Sequence, residues 1–272
     1  MDLVELHWWD SPLYSLIGGK VGNFQVAHQP IQLIHPGERT DAAGTPIRNR
    51  ILASLPDNEF RSIRPHLEAL ELPHHLSLYE PNQPLEFVHF PNDGLVSLVV
   101  VLAGGKTVEA GIVGNEGIVG LPGLVGLGRS PLREVVQIAG SGYRCPVAKL
   151  QEILPSCPRF LRTVERYAVV LGLQVAQTAG CNRLHDVEQR LARWLLMAQD
   201  RISSAVLPIT HDFLATMLGT DRPSVSLAAG ILQKKQIIEY SRGSVKISNR
   251  GELEKSACEC YAVIQHYASE LN

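Results

Sequence analysis

The segment 207–233 constrains this chain more than any other, because it places a single glycine between two short helical patterns. Thr210 is a residue type that caps helix N-termini. Gly219 suits the left-handed conformation with which many helices end. Asp221 predicts the N-cap of a second helix, with Pro223 in its first turn, where a missing N–H costs nothing. The segment therefore predicts two short helices that meet at a tight turn.

Apolar spacing predicts the buried faces of these two helices. The buried positions expected are Phe213, Leu214, Met217 and Leu218 in the first helix, and Val225, Ala229 and Leu232 in the second. Two β-prone runs, 237–240 and 244–248, follow around a basic Ser-Arg-Gly turn and predict a hairpin. A two-helix corner followed by such a hairpin is typical of a winged helix-turn-helix, which binds double-stranded DNA.

Charge supports the same interpretation, although the formal net charge is only −2. Residues 190–250 contain nine Lys and Arg but four Asp and Glu, so the rest of the chain is acidic. A basic segment of this kind favours contact with a polyanion. The start of the second helix faces base edges in such motifs, and the wing contacts phosphates. The candidate DNA-binding residues are Thr210, Thr220, Asp221, Arg222, Ser224, Ser226, Lys234, Arg242 and Lys246.

Each role has a plainer alternative. Arg222 is the candidate for a bidentate contact to guanine, and a phosphate contact is its alternative. The lysines and Arg242 are otherwise solvated charges. A second function class is a ligand-binding module that regulates a protein partner and keeps a vestigial helix-turn-helix. An enzyme is not expected, since Gly-x-Ser-x-Gly, phosphate-loop and His-Glu-x-x-His motifs are missing from the sequence.

The N-terminal half changes character along its length. Residues 1–46 have no sustained period and predict a poorly ordered extension. Residues 47–70 have helical spacing, and Pro56 is able to start a second short helix there. Residues 71–145 alternate β-prone runs with Gly- and Pro-rich turns, which predicts an antiparallel sandwich or barrel. The run 95–102 is expected to be buried on both faces.

Two longer helices are expected after Pro146. The first has no charged residue between Arg166 and Arg183, so it must bury more than one narrow stripe. A partner subunit is one site for that burial, and an intrachain core is the alternative. Its periodic positions are Phe160, Val164, Tyr167, Leu171, Val175 and Thr178. The second is expected to bury Leu184, Val187, Leu191, Trp194, Leu195 and Ala198, with Arg190 and Arg193 mainly off that face.

The five cysteines are scattered and never spaced Cys-x-x-Cys. This argues against a disulfide framework and against a four-thiolate zinc or iron–sulfur site, so no metal is assigned. Reduced thiols are expected, and Cys258 with Cys260 is an alternative redox pair. No apolar run reaches the length of a membrane span, and a secretory signal is missing from the start. We therefore expect a cytoplasmic protein with no membrane partner.

Over roughly residues 47–250 these features resemble the Crp/Fnr-type bacterial transcription regulators. The resemblance rests on the helix-turn-helix, the wing and the stretch 181–196, especially Val-Glu-Gln-Arg-Leu-Ala-Arg-Trp-Leu at 187–195. It implies an α+β fold with a cyclic-nucleotide-binding-like antiparallel β-roll, a long dimerisation helix and a C-terminal winged helix-turn-helix. It also implies a homodimer that reads a two-fold symmetric operator. RNA polymerase is a further candidate partner.

The resemblance divides the chain into a poorly ordered extension (1–46), a β-roll sensor (47–157), a dimerisation helix (158–180), a DNA-binding domain (181–250) and a helical tail (251–272). The family's cAMP-binding members carry Gly-Glu and Arg-Ser/Thr around a phosphate cassette. Here Gly120 precedes leucine, and Arg129-Ser130 closes a shorter segment. Gly120, Arg129 and Ser130 are the candidate effector-binding residues, but a cyclic nucleotide is disfavoured and no cofactor is assigned. In the second helix, Pro223 and Leu227 replace the family's usual Glu and Arg, which predicts a different operator.

Overall fold

Two short helices and a turn precede the strands in the part of the chain that the structure describes. The computed structural model describes residues 39–202 and 204–271. Helix α1 (Arg50–Ser54) and helix α2 (Asp57–Ile63) precede a 3-10 turn (Arg64–His66). Pro56 occupies the N-cap of α2. A second short helix therefore begins directly after the proline, as expected.

Seven antiparallel strands form the β-roll. They are β1 (Glu68–Leu72), β2 (Ser77–Tyr79), β3 (Phe87–Pro91), β4 (Leu95–Val101), β5 (Thr107–Val113), β6 (Leu132–Ile138) and β7 (Gly140–Pro146). One sheet has the order β1-β7-β3 and the other β2-β6-β4-β5. Leu72, Val96, Val113 and Val136 pack together between the strands. Residues 95–99 of β4 are all buried, as expected, but Val100 and Val101 are only partly buried and Leu102 is 55% exposed, so the expected burial of the run ends at Val99.

Two segments differ from the sequence expectation. The residues 68–72, of which 68–70 were expected to be helical, form β1 because they pair with β7 from Glu68 opposite Arg144 to Leu72 opposite Gly140. Residues 39–46, placed in the extension, fold onto the β-roll. The Asp41 carboxylate accepts hydrogen bonds from two local backbone N–H groups and from the Tyr143 hydroxyl. The rest of the predicted extension, residues 1–38, lies outside the described residues.

A long helix connects the β-roll to the C-terminal half. Helix α3 (Leu121–Leu124) and helix α4 (Val147–Ile153) precede it, with a 3-10 turn at Leu154–Ser156. Helix α5 runs from Pro158 to Leu184, beyond the predicted end of the dimerisation helix at residue 180. Leu184 is therefore the last residue of α5 and is 78% exposed, so it does not belong to the buried face of the next helix.

Helix α6 (Val187–Ile202) is buried on nearly all sides. Arg190 and Arg193, expected off the buried face, are both buried. The Arg190 guanidinium donates to the Leu218 carbonyl, and that of Arg193 donates to Thr178 Oγ1 at 3.5 Å. Local periodicity places these arginines on a polar face. In the fold this face is buried, and the two guanidinium groups donate to protein acceptors instead of to water.

The remaining elements form the winged corner and the tail. They are β8 (Val206–Leu207), α7 (His211–Met217), α8 (Arg222–Lys234), β9 (Ile238–Ser241), β10 (Ser244–Ile247), α9 (Arg250–Ser256) and α10 (Cys260–Ser269). The wing sheet has the order β8-β10-β9. Helix α10 packs against α5 and α6. Within residues 39–202 and 204–271, no helix combines the length and the apolar character needed to cross a bilayer.

The β-roll and the helix-turn-helix share one hydrophobic core. Val99 and Ile112 of the β-roll belong to the same buried cluster as Trp194 of α6 and Met217 of α7. Helix α7 also packs directly against β5. This contact fixes the orientation of the winged corner relative to the β-roll in the described state.

Candidate DNA-binding interface

The two helices of the corner begin and end as their sequence predicts. Thr210 Oγ1 accepts a hydrogen bond from the Phe213 N–H at 3.2 Å, and Asp221 Oδ1 accepts one from the Ser224 N–H at 2.7 Å. The bond from Ser224 lowers the pKa of the Asp221 carboxyl. Gly219 between them has a φ of +58°. Both N-caps and the left-handed turn residue are thus confirmed.

Burial of one face of α8 leaves the other face open. Val225, Ala229 and Leu232 are buried as expected, together with Ala228. In α7 the predicted residues Leu214 and Met217 are buried, and Phe213 is partly buried. The Phe213 and Trp194 rings pack edge to face, with their centroids 5.7 Å apart. The exposed residues of α8 are Arg222, Pro223, Ser226, Leu227, Gly230, Gln233 and Lys234. They recur every three or four positions and form one continuous face.

The predicted DNA-binding residues divide between this face and its supports. Arg222, Ser226 and Lys234 lie on the exposed face of α8. Arg242 and Lys246 are exposed on the wing. The others are in the turn and caps, where Thr210 and Asp221 hold helix starts and Thr220 and Ser224 are partly buried.

Two exposed cations of the interface are held by weak surface ion pairs. Arg222 Nε lies 3.4 Å from Asp212 Oδ1, and Lys246 Nζ lies 3.2 Å from Glu239 Oε2. Such exposed pairs contribute about 0–1 kcal/mol each, so a phosphate replaces the carboxylate at little cost. Arg190, Arg193 and Arg201 are buried. The positive surface of segment 190–250 therefore comes mainly from α8 and the wing.

His211 is a structural residue of the winged corner that was not predicted from the sequence. Its Nδ1 lies 2.9 Å from Ser226 Oγ, and its ring stacks on Tyr240 with centroids 3.8 Å apart. It thereby joins α7, α8 and the wing. Burial lowers the pKa of His211, and the neighbouring Arg222 lowers it further. A lone histidine after a capping threonine has no sequence signal that indicates this role.

The predicted effector segment is satisfied by the β-roll itself. The Gly120 N–H donates to Glu134 Oε2 at 2.9 Å, and burial raises the pKa of Glu134 to about 7. The exposed Arg129 guanidinium donates to the Asn82 carbonyl. Ser130 is buried, and its hydroxyl accepts from the Leu132 N–H at 3.2 Å. Each of the three therefore already has a polar partner within the β-roll.

A β-roll joined by a long helix to a winged helix-turn-helix defines a class of transcription regulators with a sensor-like domain and a DNA-binding domain. Residues 189–256 match the family model described as the Crp-like helix-turn-helix domain. The resemblance to the Crp/Fnr-type regulators is confirmed by this match and by the fold. The domain and the fold together support a DNA-binding transcriptional regulator.

Solved structures share this architecture at low sequence identity. FixK2 from Bradyrhizobium japonicum is 15% identical with a TM-score of 0.62, covering 71% of this chain and 98% of that one. The c-di-GMP responsive global regulator CLP from Xanthomonas campestris is 17% identical with a TM-score of 0.59, covering 71% and 99%. A CRP-family transcriptional regulator from Thermus thermophilus is 21% identical with a TM-score of 0.55, covering 69% and 96%. No curated protein sequence matches the chain.

Proposed function

We propose that this protein is a homodimeric, sequence-specific transcription regulator that inserts α8 into the major groove of DNA. The exposed face of α8 carries this proposal. Arg222 lies at its N-terminal end, where helices of this motif approach base edges. Its side chain is 65% exposed and forms a weak pair with Asp212. Arg242 and Lys246 on the wing supply cations for the adjacent phosphates.

The experiment is selection of duplexes from a random pool, followed by fluorescence anisotropy at several salt concentrations. We expect a symmetric enriched site and affinity that falls steeply with salt, because phosphate contacts release counterions. Arg222→Ala should weaken binding and relax the preference at one base position. Lys149→Ala is the matched control, since Lys149 is an exposed cation on α4 whose partner is Glu152.

Absence of salt-dependent duplex binding by the folded protein would contradict this proposal. That result would favour the second candidate, a ligand-binding module that acts on a protein partner. Binding that is steep in salt but shows no enriched sequence would instead assign Arg222 to phosphate. Both results are distinguishable from misfolding by the thermal unfolding transition of each variant.

The homodimer in this proposal is supported by the exposed face of α5. Val169 is 64% exposed and Leu173 41% exposed on a helix of 27 residues. Gly172, Ala176 and Gly180 are small residues of the same helix that leave room for a second backbone to approach. An apolar helix face of this size favours burial against a second copy. Sedimentation of wild type and Val169→Glu tests it, and an unchanged dimer in the variant would move the interface elsewhere.

Control by an effector is part of the proposal, but the cassette disfavours a phosphate ligand. The Gly120 N–H already donates to the Glu134 carboxylate. A phosphate bound near Gly120 would have to compete with Glu134 for this N–H, and it would lie beside an acidic side chain. We therefore expect cyclic AMP to leave DNA affinity unchanged. A several-fold change with cyclic AMP would contradict this part of the proposal alone.

A further inference from the structure

Three cysteines and one histidine from distant parts of the chain meet at the junction of α5, α6 and α10. Cys181 lies in the last turn of α5, His185 follows that helix, and Cys258 and Cys260 lie at the start of α10. One ligand atom from each residue lies within 4.8 Å of all the others. The three cysteines are buried and are not joined by disulfides.

The distances in this cluster fit a single tetrahedral metal ion. Cys181 Sγ and Cys258 Sγ are 3.5 Å apart, and Cys260 Sγ lies 3.5 Å from His185 Nδ1. Zinc bonds of about 2.3 Å to sulfur and about 2.0 Å to nitrogen place tetrahedral ligands about 3.8 Å (S to S) and about 3.5 Å (S to N) apart. A disulfide needs about 2.05 Å between sulfurs, so these thiols are separate donors.

The surroundings of the four residues orient them as metal ligands. His185 Nε2 lies 3.2 Å from Glu259 Oε1, which leaves Nδ1 facing the sulfurs. A carboxylate on the other ring nitrogen is the usual partner of a metal-bound histidine. Gln177 Nε2 donates to Cys260 Sγ at 3.1 Å. The buried Arg190 and Arg193 interact electrostatically with Cys181 and offset the negative charge of thiolates.

We propose that the chain binds one zinc ion through Cys181, His185, Cys258 and Cys260. Three sulfurs and one imidazole nitrogen in tetrahedral arrangement are the donor set of structural zinc sites. Four protein ligands leave no position for a substrate or water, so the role is structural. This donor set differs from the four-thiolate and Cys-x-x-Cys sites that the spacing of the cysteines disfavours.

The zinc site lies where α5, α6 and α10 meet. His185 belongs to the two-residue link between α5, which ends at Leu184, and α6, which begins at Val187. Cys258 and Cys260 hold the start of α10. Next to it, a cavity of about 190 Å³ is lined by residues of α5 and α10, including Leu173, Ala176, Ile264 and Tyr267. Because the ligands come from both elements and from the link between α5 and α6, the metal fastens α10 to α5 and fixes that link.

The test is the metal content of the full-length protein purified under reducing conditions, measured by plasma mass spectrometry. We expect one zinc per chain in wild type and its loss in Cys181→Ser and Cys258→Ser. The buried Cys145 and Cys157 belong to a different core cluster, so Cys145→Ser and Cys157→Ser are the matched controls and should keep the zinc. Glu259→Gln, at an exposed position, should lower zinc affinity roughly 10–100-fold while the protein stays folded.

Cobalt replacement gives a readout that needs no variant. Co²⁺ added to the zinc-free protein should produce the visible bands of a tetrahedral ion and sulfur charge-transfer absorption, and zinc should displace both. A folded, reduced protein that binds neither ion would overturn the proposal. A metal-free protein with a Cys181–Cys258 disulfide, or iron with labile sulfide in place of zinc, would overturn it as well. All these readouts are independent of DNA binding.

Discussion

The Trp194 indole N–H donates to Glu109 Oε1 at 2.7 Å and so joins α6 of the DNA-binding half to β5 of the β-roll. The other carboxylate oxygen accepts from Ser97 Oγ at 2.5 Å. Glu109 is fully enclosed, and burial raises the pKa of Glu109 to about 7. An acid that titrates near neutrality therefore lies at the contact between the β-roll and the helices that carry the winged corner.

This contact predicts a pH-dependent stability. An exposed glutamate titrates near 4.5, so the unfolded chain loses this proton before the folded one. The contribution of this group to stability should be highest below pH 4.5, fall between about 4.5 and 7, and stay level above, with a total change of about 3 kcal/mol. Glu109→Gln keeps a carbonyl acceptor for Trp194. Urea unfolding should therefore show a shallower pH dependence in this variant and greater stability than wild type at pH 8.

The matched control for that prediction is Glu71→Gln, at an exposed position of β1. Its pH profile should follow that of wild type. Glu134 is also buried and also has its pKa raised to about 7, so some slope should remain in Glu109→Gln. An identical slope in wild type and Glu109→Gln would show that Glu109 does not titrate in this range.

The buried pair between Arg201 and Glu116 predicts a large stability loss on breaking it. Arg201 Nε lies 2.7 Å from Glu116 Oε1, and its side chain is only 8% exposed. Arg201 also donates to Gln174 Oε1 of α5 at 2.9 Å. Arg201→Met should cost about 3 kcal/mol in urea unfolding, because the largely buried Glu116 carboxylate loses its charged partner.

The double variant Arg201→Met, Glu116→Gln separates the two contributions. It should recover part of the loss, since no unpaired charge remains. A loss below about 1 kcal/mol in the single variant would mean that water reaches Glu116 freely, as it does at surface pairs.

The turn of the corner predicts opposite effects of alanine at two glycines. Gly219 has a φ of +58°, and a Cβ there would lie 3.0 Å from Val108 Cγ2 of β5. Gly219→Ala should destabilise the protein by about 1–2 kcal/mol, since L residues are strained in this conformation. A methyl group added at Gly230 in α8 would have no atom within 4 Å. Gly230→Ala should therefore stabilise by about 0.5–1 kcal/mol. Thermal unfolding of the two variants in parallel checks the pair, and a loss in both would contradict it.

The wing predicts a change in salt dependence without a change in sequence preference. Arg242 is exposed in the turn between β9 and β10. Arg242→Ala should weaken all duplexes about equally and reduce the slope of log affinity against log salt by about 1, as the loss of one phosphate contact does. Arg222→Ala should instead cost about 1–3 kcal/mol on the selected site and little on mismatched ones. Anisotropy on both duplexes distinguishes them, and equal behaviour of the two variants would contradict the division of roles.

The sequence was sufficient to predict structure where the interaction that determines it is local. Thr210, Gly219 and Asp221 act within three or four residues of themselves, so residue type and spacing were enough to predict the corner. Periodicity was also enough for the buried face of α8, because that face follows the helical repeat.

Sequence was insufficient where the partner comes from elsewhere in the chain. Arg190 and Arg193 have the spacing of a solvated face, and only tertiary contacts with Leu218 and Thr178 explain their burial. Cys181 and Cys258 are 77 positions apart, and no spacing rule relates them before α10 folds onto α5.

Under the proposed docking, Leu227 gives the exposed face of α8 an apolar group for base contacts. Its side chain is 70% exposed beside Ser226, at a position from which the proposed docking directs it toward the groove. An alkyl group donates and accepts nothing, so its complement on a base pair is the methyl group of thymine. The choice of base pair at that position of the operator then depends on an apolar contact rather than on a hydrogen bond. Uracil in place of that thymine should weaken binding, because it lacks the methyl group. Cytosine methylated at C5 should bind better than unmethylated cytosine at the same position.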